Sequence, residues 1–365
     1  MPYLTPLLGP FVTAFLLALF LTPVVRALAR RAGVMDRPSP RKLHPRPVPL
    51  LGGLALYAAI GGAAAFFAPP APGLLGLVAG ATLLLLTGLW DDTRGLRPRA
   101  KLLAQGAAAL LALAGGVSIN FLPHPILNWG VTVLWLMGLT NAFNLLDNMD
   151  GLSAGVAAIS AGAFALLASR YIELGPEQLP TAVAGAAIAG ACLGFLRHNL
   201  YHASIFMGDA GSQTLGFLLA GLAAYGSWRS PTLPTSLLIP FLVLAYPIFD
   251  TSLVTLLRWR QGRPITVGGR DHSSHRLVQL GLGRTETVLL IYLFALTHAL
   301  TAALVTSVSL RLALIALAIS VSVLFIFGMV LRKANVYGDG EAWPGAGRKP
   351  AVPKEEVIPV DQTTR

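Results

Sequence analysis

Long apolar runs alternate along this chain with short polar connections, and the polar residues gather between the runs or at one end of them. A membrane-crossing helix needs about 20 consecutive, mostly apolar residues. By that measure eleven spans are expected, at roughly 8–28, 49–68, 73–90, 102–118, 129–146, 153–171, 181–196, 211–227, 235–257, 286–306 and 311–331. Glycine and alanine recur inside them, as at Gly185-Ala186 and Gly190-Ala191. Small residues let helices approach closely in lipid, which accounts for most of these glycines. The expected fold is all-α and polytopic, with residues 1–333 forming one transmembrane unit. Residues 334–365 turn to Gly, Pro, Glu and Lys without an apolar period and are expected to be a disordered cytoplasmic tail.

Composition agrees with that pattern. The 365 residues are 55% hydrophobic and 12% charged, with a mean hydropathy of +0.67. A soluble domain carries about 25% charged residues, so a single soluble core is excluded. The lone cysteine, Cys192, excludes an intrachain disulfide and a cysteine-cluster metal site. The first apolar run lacks a basic segment before it and reads as a span, not a cleaved leader.

Net charge is +11, but its distribution argues against nucleic acid. Of the 27 Lys and Arg residues, 24 fall on one side of the predicted spans, leaving Arg170, Arg229 and Arg311 on the other. The positive-inside rule then places the N-terminus outside and the C-terminus in the cytoplasm of a plasma (inner) membrane protein. The same basic face would attract phosphates and anionic lipid. No internal repeat is apparent, which weakens a transporter reading.

Eight aspartates precede the tail: Asp36, Asp91, Asp92, Asp147, Asp150, Asp209, Asp250 and Asp271. All lie toward one end of apolar runs or in the loops beyond. Carboxylates near hydrocarbon are costly and mark candidate sites.

Four constellations carry chemistry. In Trp90-Asp91-Asp92-Thr93-Arg94, followed by Lys101, adjacent carboxylates repel unless a cation relieves them; a solvated loop paired with arginine is the alternative. In Asn141-Ala-Phe-Asn144-Leu-Leu-Asp147-Asn148-Met-Asp150-Gly151, the residues Asn141, Asn144, Asp147 and Asn148 share one helix face. That stripe implies a lined cavity or hydrogen bonding between helices. In Phe206-Met-Gly208-Asp209-Ala-Gly211-Ser212, glycines would let phosphate or metal approach a helix N-terminus, and Asp209 reads as a metal ligand or a cap.

The fourth runs Gly268-Gly-Arg270-Asp271-His272-Ser-Ser-His275-Arg276 and suits a diphosphate, with a topology-only basic loop as the alternative. Zinc lacks a third nearby ligand there. His124 and His298 read as structural, and Asp250 as a supporting group or the buried partner of an arginine.

In this order, and with Pro47-x-Pro49-x-x-Gly52-Gly53 after a basic loop, these motifs resemble the polyprenyl-phosphate N-acetylhexosamine-1-phosphate transferases, the WecA/MraY superfamily. The resemblance runs over nearly the whole chain up to the tail. It implies transfer of a sugar 1-phosphate from a UDP-sugar to a polyprenyl phosphate, usually undecaprenyl phosphate, with UMP released and magnesium (or manganese) required.

It further implies Asp209 and Asp92 at the metal, and Asp91 as the base acting on the lipid phosphate or as a covalent nucleophile. Asp147, His272 and His275 would join the catalytic set. Arg46, Lys101, Asn141, Asn144, Asn148, Asn199, Phe206, Arg270 and Arg276 would contact substrate, Phe206 by stacking on uracil. A homodimer is implied by family likeness alone. Asn148 stands where the family commonly has glycine. The His272-Ser-Ser-His275-Arg276 loop is closer to the GlcNAc-1-phosphate branch than to the triple-histidine form of the phospho-N-acetylmuramoyl-pentapeptide transferases. A secondary transporter of an anionic solute and a phosphotransferase acting on CDP-alcohols are the competing classes. The latter's aspartate-rich helix signature is missing.

Overall fold

The computed structural model describes residues 2–38, 46–228, 233–264, 269–334 and 336. Nearly all of the expected tail, 334–365, therefore lies outside the described residues, as does Gly268. Thirteen α-helices occupy the described chain: α1 (Thr5–Arg31), α2 (Gly52–Phe67), α3 (Pro72–Arg94), α4 (Pro98–Ala114), α5 (Pro125–Leu146), α6 (Leu152–Arg170), α7 (Gln178–Asn199), α8 (Gly208–Tyr225), α9 (Leu233–Val243), α10 (Ala245–Arg260), α11 (Ser273–Gln279), α12 (Arg284–Val305) and α13 (Leu310–Leu331). Proline occupies the first or second helical position of α1, α3, α4 and α5, where its missing N–H costs nothing.

Seven of these helices, α1, α3, α5, α6, α7, α12 and α13, are long and apolar enough to cross a membrane by length and composition; α2 is a shorter apolar helix. The bundle is layered around α7 and α8. α7 lies between α1 and α6, and α8 between α3 and α5. The most apolar stretch of α7 is 89% buried, against 22% for that of α13. A helix apolar all round but largely uncovered, like α13, is suited to lipid, whereas α7 is bundle interior.

One expected span is divided. The run at 235–257 forms two helices, α9 and α10, with a break at Leu244 (φ −103, ψ 19). Pro247 explains it: proline cannot donate to the carbonyl four residues earlier, and its ring crowds that group. The freed Val243 carbonyl accepts the Ser160 hydroxyl of α6 at 3.0 Å instead. A second departure is a two-residue antiparallel ladder, β1 (Met35–Asp36) with β2 (Val48–Pro49), within the basic loop after α1.

Glycine decides how closely the helices carrying the polar motifs approach. Gly53 at the start of α2 and Gly88 near the end of α3 both press on the backbone of residues 209–211, where a methyl group would collide. The segment before α8 is further held by Phe206 N–H to Pro49 O (2.9 Å), and accepts Gly52 N–H at Phe206 O (3.0 Å) and Gly53 N–H at Met207 O (2.9 Å). The Pro-x-Pro-x-x-Gly-Gly motif thus packs directly on the Phe-Met-Gly-Asp motif.

Candidate active site

The end of α3, the starts of α4 and α8, and the end of α5 meet around Asp209. Asp92 accepts the N–H of Asp209 at Oδ1 (2.9 Å) and of Ala210 at Oδ2 (3.2 Å). It therefore caps the first turn of α8, where N–H groups lack helical partners. Asp91 accepts the Leu96 N–H at 2.5 Å through one oxygen. Its other oxygen pairs with the ammonium of Lys101, which also pairs with Asp209. Asp209 further accepts Asn144 Nδ2 at 3.0 Å and Gln213 Nε2 at 3.3 Å. Asn144 Nδ2 also lies 3.0 Å from the Ser212 hydroxyl. Asp91, Asp92, Lys101, Asn144 and Asp209 are all half-buried, open enough for a ligand.

Behind them sits an amide network. Asn141 Nδ2 donates to Gln105 Oε1 at 2.7 Å, and Gln105 Nε2 donates to Gln213 Oε1 at 3.1 Å. Gln105 and Gln213 were not among the residues singled out from the sequence. Each lies four residues, one helical turn, beyond a site residue, Lys101 and Asp209. A search for isolated amides inside apolar runs would find both.

Asp147 follows the last residue of α5. Burial, then the charges of Asp209, Asp92, Asp150 and Asp36, push its carboxyl well above the usual range. Asn148 accepts the Ser274 hydroxyl at 2.7 Å, which joins the histidine loop to the loop after α5. Asp150 accepts the Ala203 N–H at 3.0 Å. Asn199, 3% exposed, accepts Gly151 N–H at 3.2 Å and donates to Ile205 O at 2.9 Å. Its amide braces two loops. Phe206 is half-buried beside these groups, and Arg46 and Arg270 are exposed.

The histidine loop is anchored from beneath. Arg258, a buried guanidinium not singled out from the sequence, makes a forked pair with Asp271: Nε to Oδ2 at 2.8 Å and Nη2 to Oδ1 at 2.6 Å. Burial alone would raise the Asp271 carboxyl, but the Arg258 contact outweighs it and holds Asp271 below the usual range. His272 Nδ1 lies 2.8 Å from Asp250 Oδ2, so of the two readings of Asp250, a supporting group or the partner of an arginine, the geometry fits the first. His275 is pushed down to about 4, by burial first and then by His272. It is neutral at pH 7. Arg276 is buried and binds backbone oxygens of Asp271 (2.8 Å) and Ala334 (3.2 Å), tying α11 to the end of α13.

The donor set at Asp209 is compatible with a hard divalent cation. Two carboxylates, Asp91 and Asp209, converge on one positive charge, the Lys101 ammonium. Among the described residues no three His, Cys, Asp or Glu side chains cluster to hold an ion. Magnesium needs no such cage, because it commonly takes one or two carboxylates and fills the remaining positions with phosphate and water. Asp91, with a side-chain oxygen already on a cation, is better disposed for this than Asp92, whose two oxygens face backbone N–H groups.

Residues 74–227 match the family profile described as glycosyl transferase family 4. A probable undecaprenyl-phosphate N-acetylglucosaminyl 1-phosphate transferase of Bacillus subtilis (strain 168) is 33% identical over 314 residues, covering 83% of this chain and 86% of the relative. A decaprenyl-phosphate N-acetylglucosaminephosphotransferase of Mycobacterium tuberculosis (strain ATCC 25618 / H37Rv) is 35% identical, covering 77% and 78%. A phospho-N-acetylmuramoyl-pentapeptide-transferase of Moorella thermoacetica is 35% identical over 249 residues, covering 59% of this chain and 74% of the relative.

Proposed function

The chain belongs to glycosyl transferase family 4, and on that premise we propose that it transfers N-acetylglucosamine 1-phosphate from UDP-N-acetylglucosamine to undecaprenyl phosphate or a related polyprenyl phosphate. The names of its relatives support the acceptor and the transferred group. The observation that carries the reading is the meeting of Lys101 with both Asp91 and Asp209, with Asn144 on the same Asp209 carboxylate. Residues more than a hundred positions apart form one polar centre at the ends of apolar helices.

An oxygen of the lipid phosphate attacks the sugar-bearing phosphorus of the diphosphate. The bond from that phosphorus to the UMP oxygen breaks, and the electron pair leaves with UMP. Both reactants are polyanions, so repulsion is a main barrier, and positioning with charge stabilisation matters more than covalent assistance. Magnesium, or manganese in its place, would be held by Asp209 with Asp91, and when bound it offsets charge on the diphosphate oxygens. Lys101 is tethered beside those carboxylates and can turn its ammonium to a phosphate. A phosphate monoester is already largely a dianion near neutral pH, so little proton remains for Asp91 to remove from the attacking group. Neutral His275 offers a hydrogen bond but no positive charge.

The plasma membrane is the proposed location, with the site on the cytoplasmic side, because 24 of 27 Lys and Arg residues fall on that side of the apolar runs. The product would start a cell-wall or surface glycan. A transporter reading is less well supported, since most of the carboxylates, Asp91, Asp92, Asp147 and Asp209 among them, lie at helix ends.

The test is UMP release by the purified full-length protein given undecaprenyl phosphate and UDP-N-acetylglucosamine, with and without magnesium. UDP-N-acetylgalactosamine and the UDP-N-acetylmuramoyl-pentapeptide serve as competing donors. Lipid-dependent, magnesium-dependent UMP from the first donor is expected, and its abolition by Asp209→Asn. Turnover of the pentapeptide donor alone would move the chain to the other branch. Full activity in a folded Asp209→Asn sample would remove the metal role.

A further inference from the structure

Asp250 lies inside α10 and is 1% exposed. A carboxylate buried there is costly unless its oxygens are bonded. They are, and every bond ends on the histidine loop. Oδ2 contacts His272 Nδ1 at 2.8 Å. Oδ1 accepts the Ser273 N–H at 2.7 Å and the Ser273 hydroxyl at 2.5 Å. Tyr246, one turn earlier on α10, holds the same hydroxyl oxygen at 2.6 Å.

Anchoring the loop would need only the Ser273 bonds. The bond to a ring nitrogen does something else. An imidazole nitrogen facing a carboxylate carries the proton, so the second nitrogen is left as the ring's working end. The neighbours leave the ring little room to drift. Asp271 is clamped by Arg258, and Ser274 donates to Asn148, next to Asp147.

The geometry points to Asp250 as a positioning residue that holds His272 in the Nδ1–H tautomer, leaving Nε2 as an acceptor for a hydroxyl or amide N–H of the sugar nucleotide. This deepens the transferase reading and rests on it. Asp250 does not touch substrate; it acts through His272. Tyr246 and Ser273 complete a buried relay that holds the carboxylate in turn.

Histidine-selective 15N labelling of the wild-type protein in lipid nanodiscs reads the tautomer directly, with His272→Gln identifying the signal. At pH 8 a protonated Nδ1 and a bare Nε2 are expected; the opposite tautomer overturns the assignment whatever any variant does. In the UMP assay, Asp250→Asn should lower kcat on the order of 100-fold while KM for UDP-N-acetylglucosamine stays within about threefold. The double variant Asp250→Asn/His272→Gln should be no slower than His272→Gln alone, within about twofold. Additive losses, or near-normal kcat in Asp250→Asn, would sink the positioning role. If the wild-type protein shows the expected tautomer but releases no UMP with any donor, the pairing stands and the transferase reading is what fails.

Discussion

Asp92 caps the helix that carries Asp209: its Oδ1 accepts the Asp209 N–H at 2.9 Å, across 117 residues of chain. The first aspartate-rich motif therefore fixes the backbone of the third. Adjacent carboxylates in the sequence have different work, with Asp91 directed at a cation and Asp92 at two backbone donors.

Asp92→Ala leaves two N–H groups at the start of α8 without an acceptor. Loss of a capping acceptor costs about 0.5–2 kcal/mol, seen as a lowered unfolding temperature in detergent. Displacing Asp209 by even an ångström should lower UMP release on the order of 100-fold. Asp92→Asn keeps one acceptor and should fall between the two. An Asp92→Ala protein with wild-type turnover and stability would show that the cap is unimportant.

Lys101 pairs with both Asp91 and Asp209, so on the proposed function a divalent cation would compete with it for the same two carboxylates. Lys101→Met should therefore unfold at lower temperature in metal-free buffer, because Asp91 and Asp209 then face each other without a cation. Added magnesium should raise the unfolding temperature of Lys101→Met more than that of the wild type, by ligand linkage. Equal shifts in the two proteins would place the metal elsewhere. The measurement is independent of turnover.

Arg258→Met removes the partner of a buried carboxylate, which typically costs about 3–5 kcal/mol. The sign with pH follows from Asp271. In the wild type its carboxyl is held below the usual range, because the Arg258 contact outweighs burial. The stabilisation is thus present above the ordinary carboxylate value of about 4 and is lost as pH falls through the lower folded value. In Arg258→Met the buried carboxylate is uncompensated at neutral pH and is relieved by protonation. The stability gap between wild type and variant should be widest near pH 7 and narrow toward pH 4. A gap that is constant across that range would mean the pair contributes packing and not charge.

The apolar runs determined the class of this protein and the position of nearly every helix, because length and hydropathy are local properties that lipid reads directly. Asp91, Asp92, Lys101, Asn144 and Asp209 could be named from the sequence because polar groups inside or beside long apolar runs are costly and hence conspicuous. Their division of labour could not be read that way. Asp91 and Asp92 are equivalent neighbours in the sequence, and only the approach of α3 to α8 across Gly88 turns one toward Lys101 and the other toward backbone N–H groups. The break at Leu244 was hidden because the run is apolar throughout; Pro247 was its local sign, and Ser160 on another helix supplies the compensation. Asp250 and Arg258 acquired their partners, His272 and Asp271, only when the chain between them folded back onto α10. A hydrogen bond of under 3 Å is set by the mutual placement of whole helices, and that placement depends on packing between residues far apart in the chain.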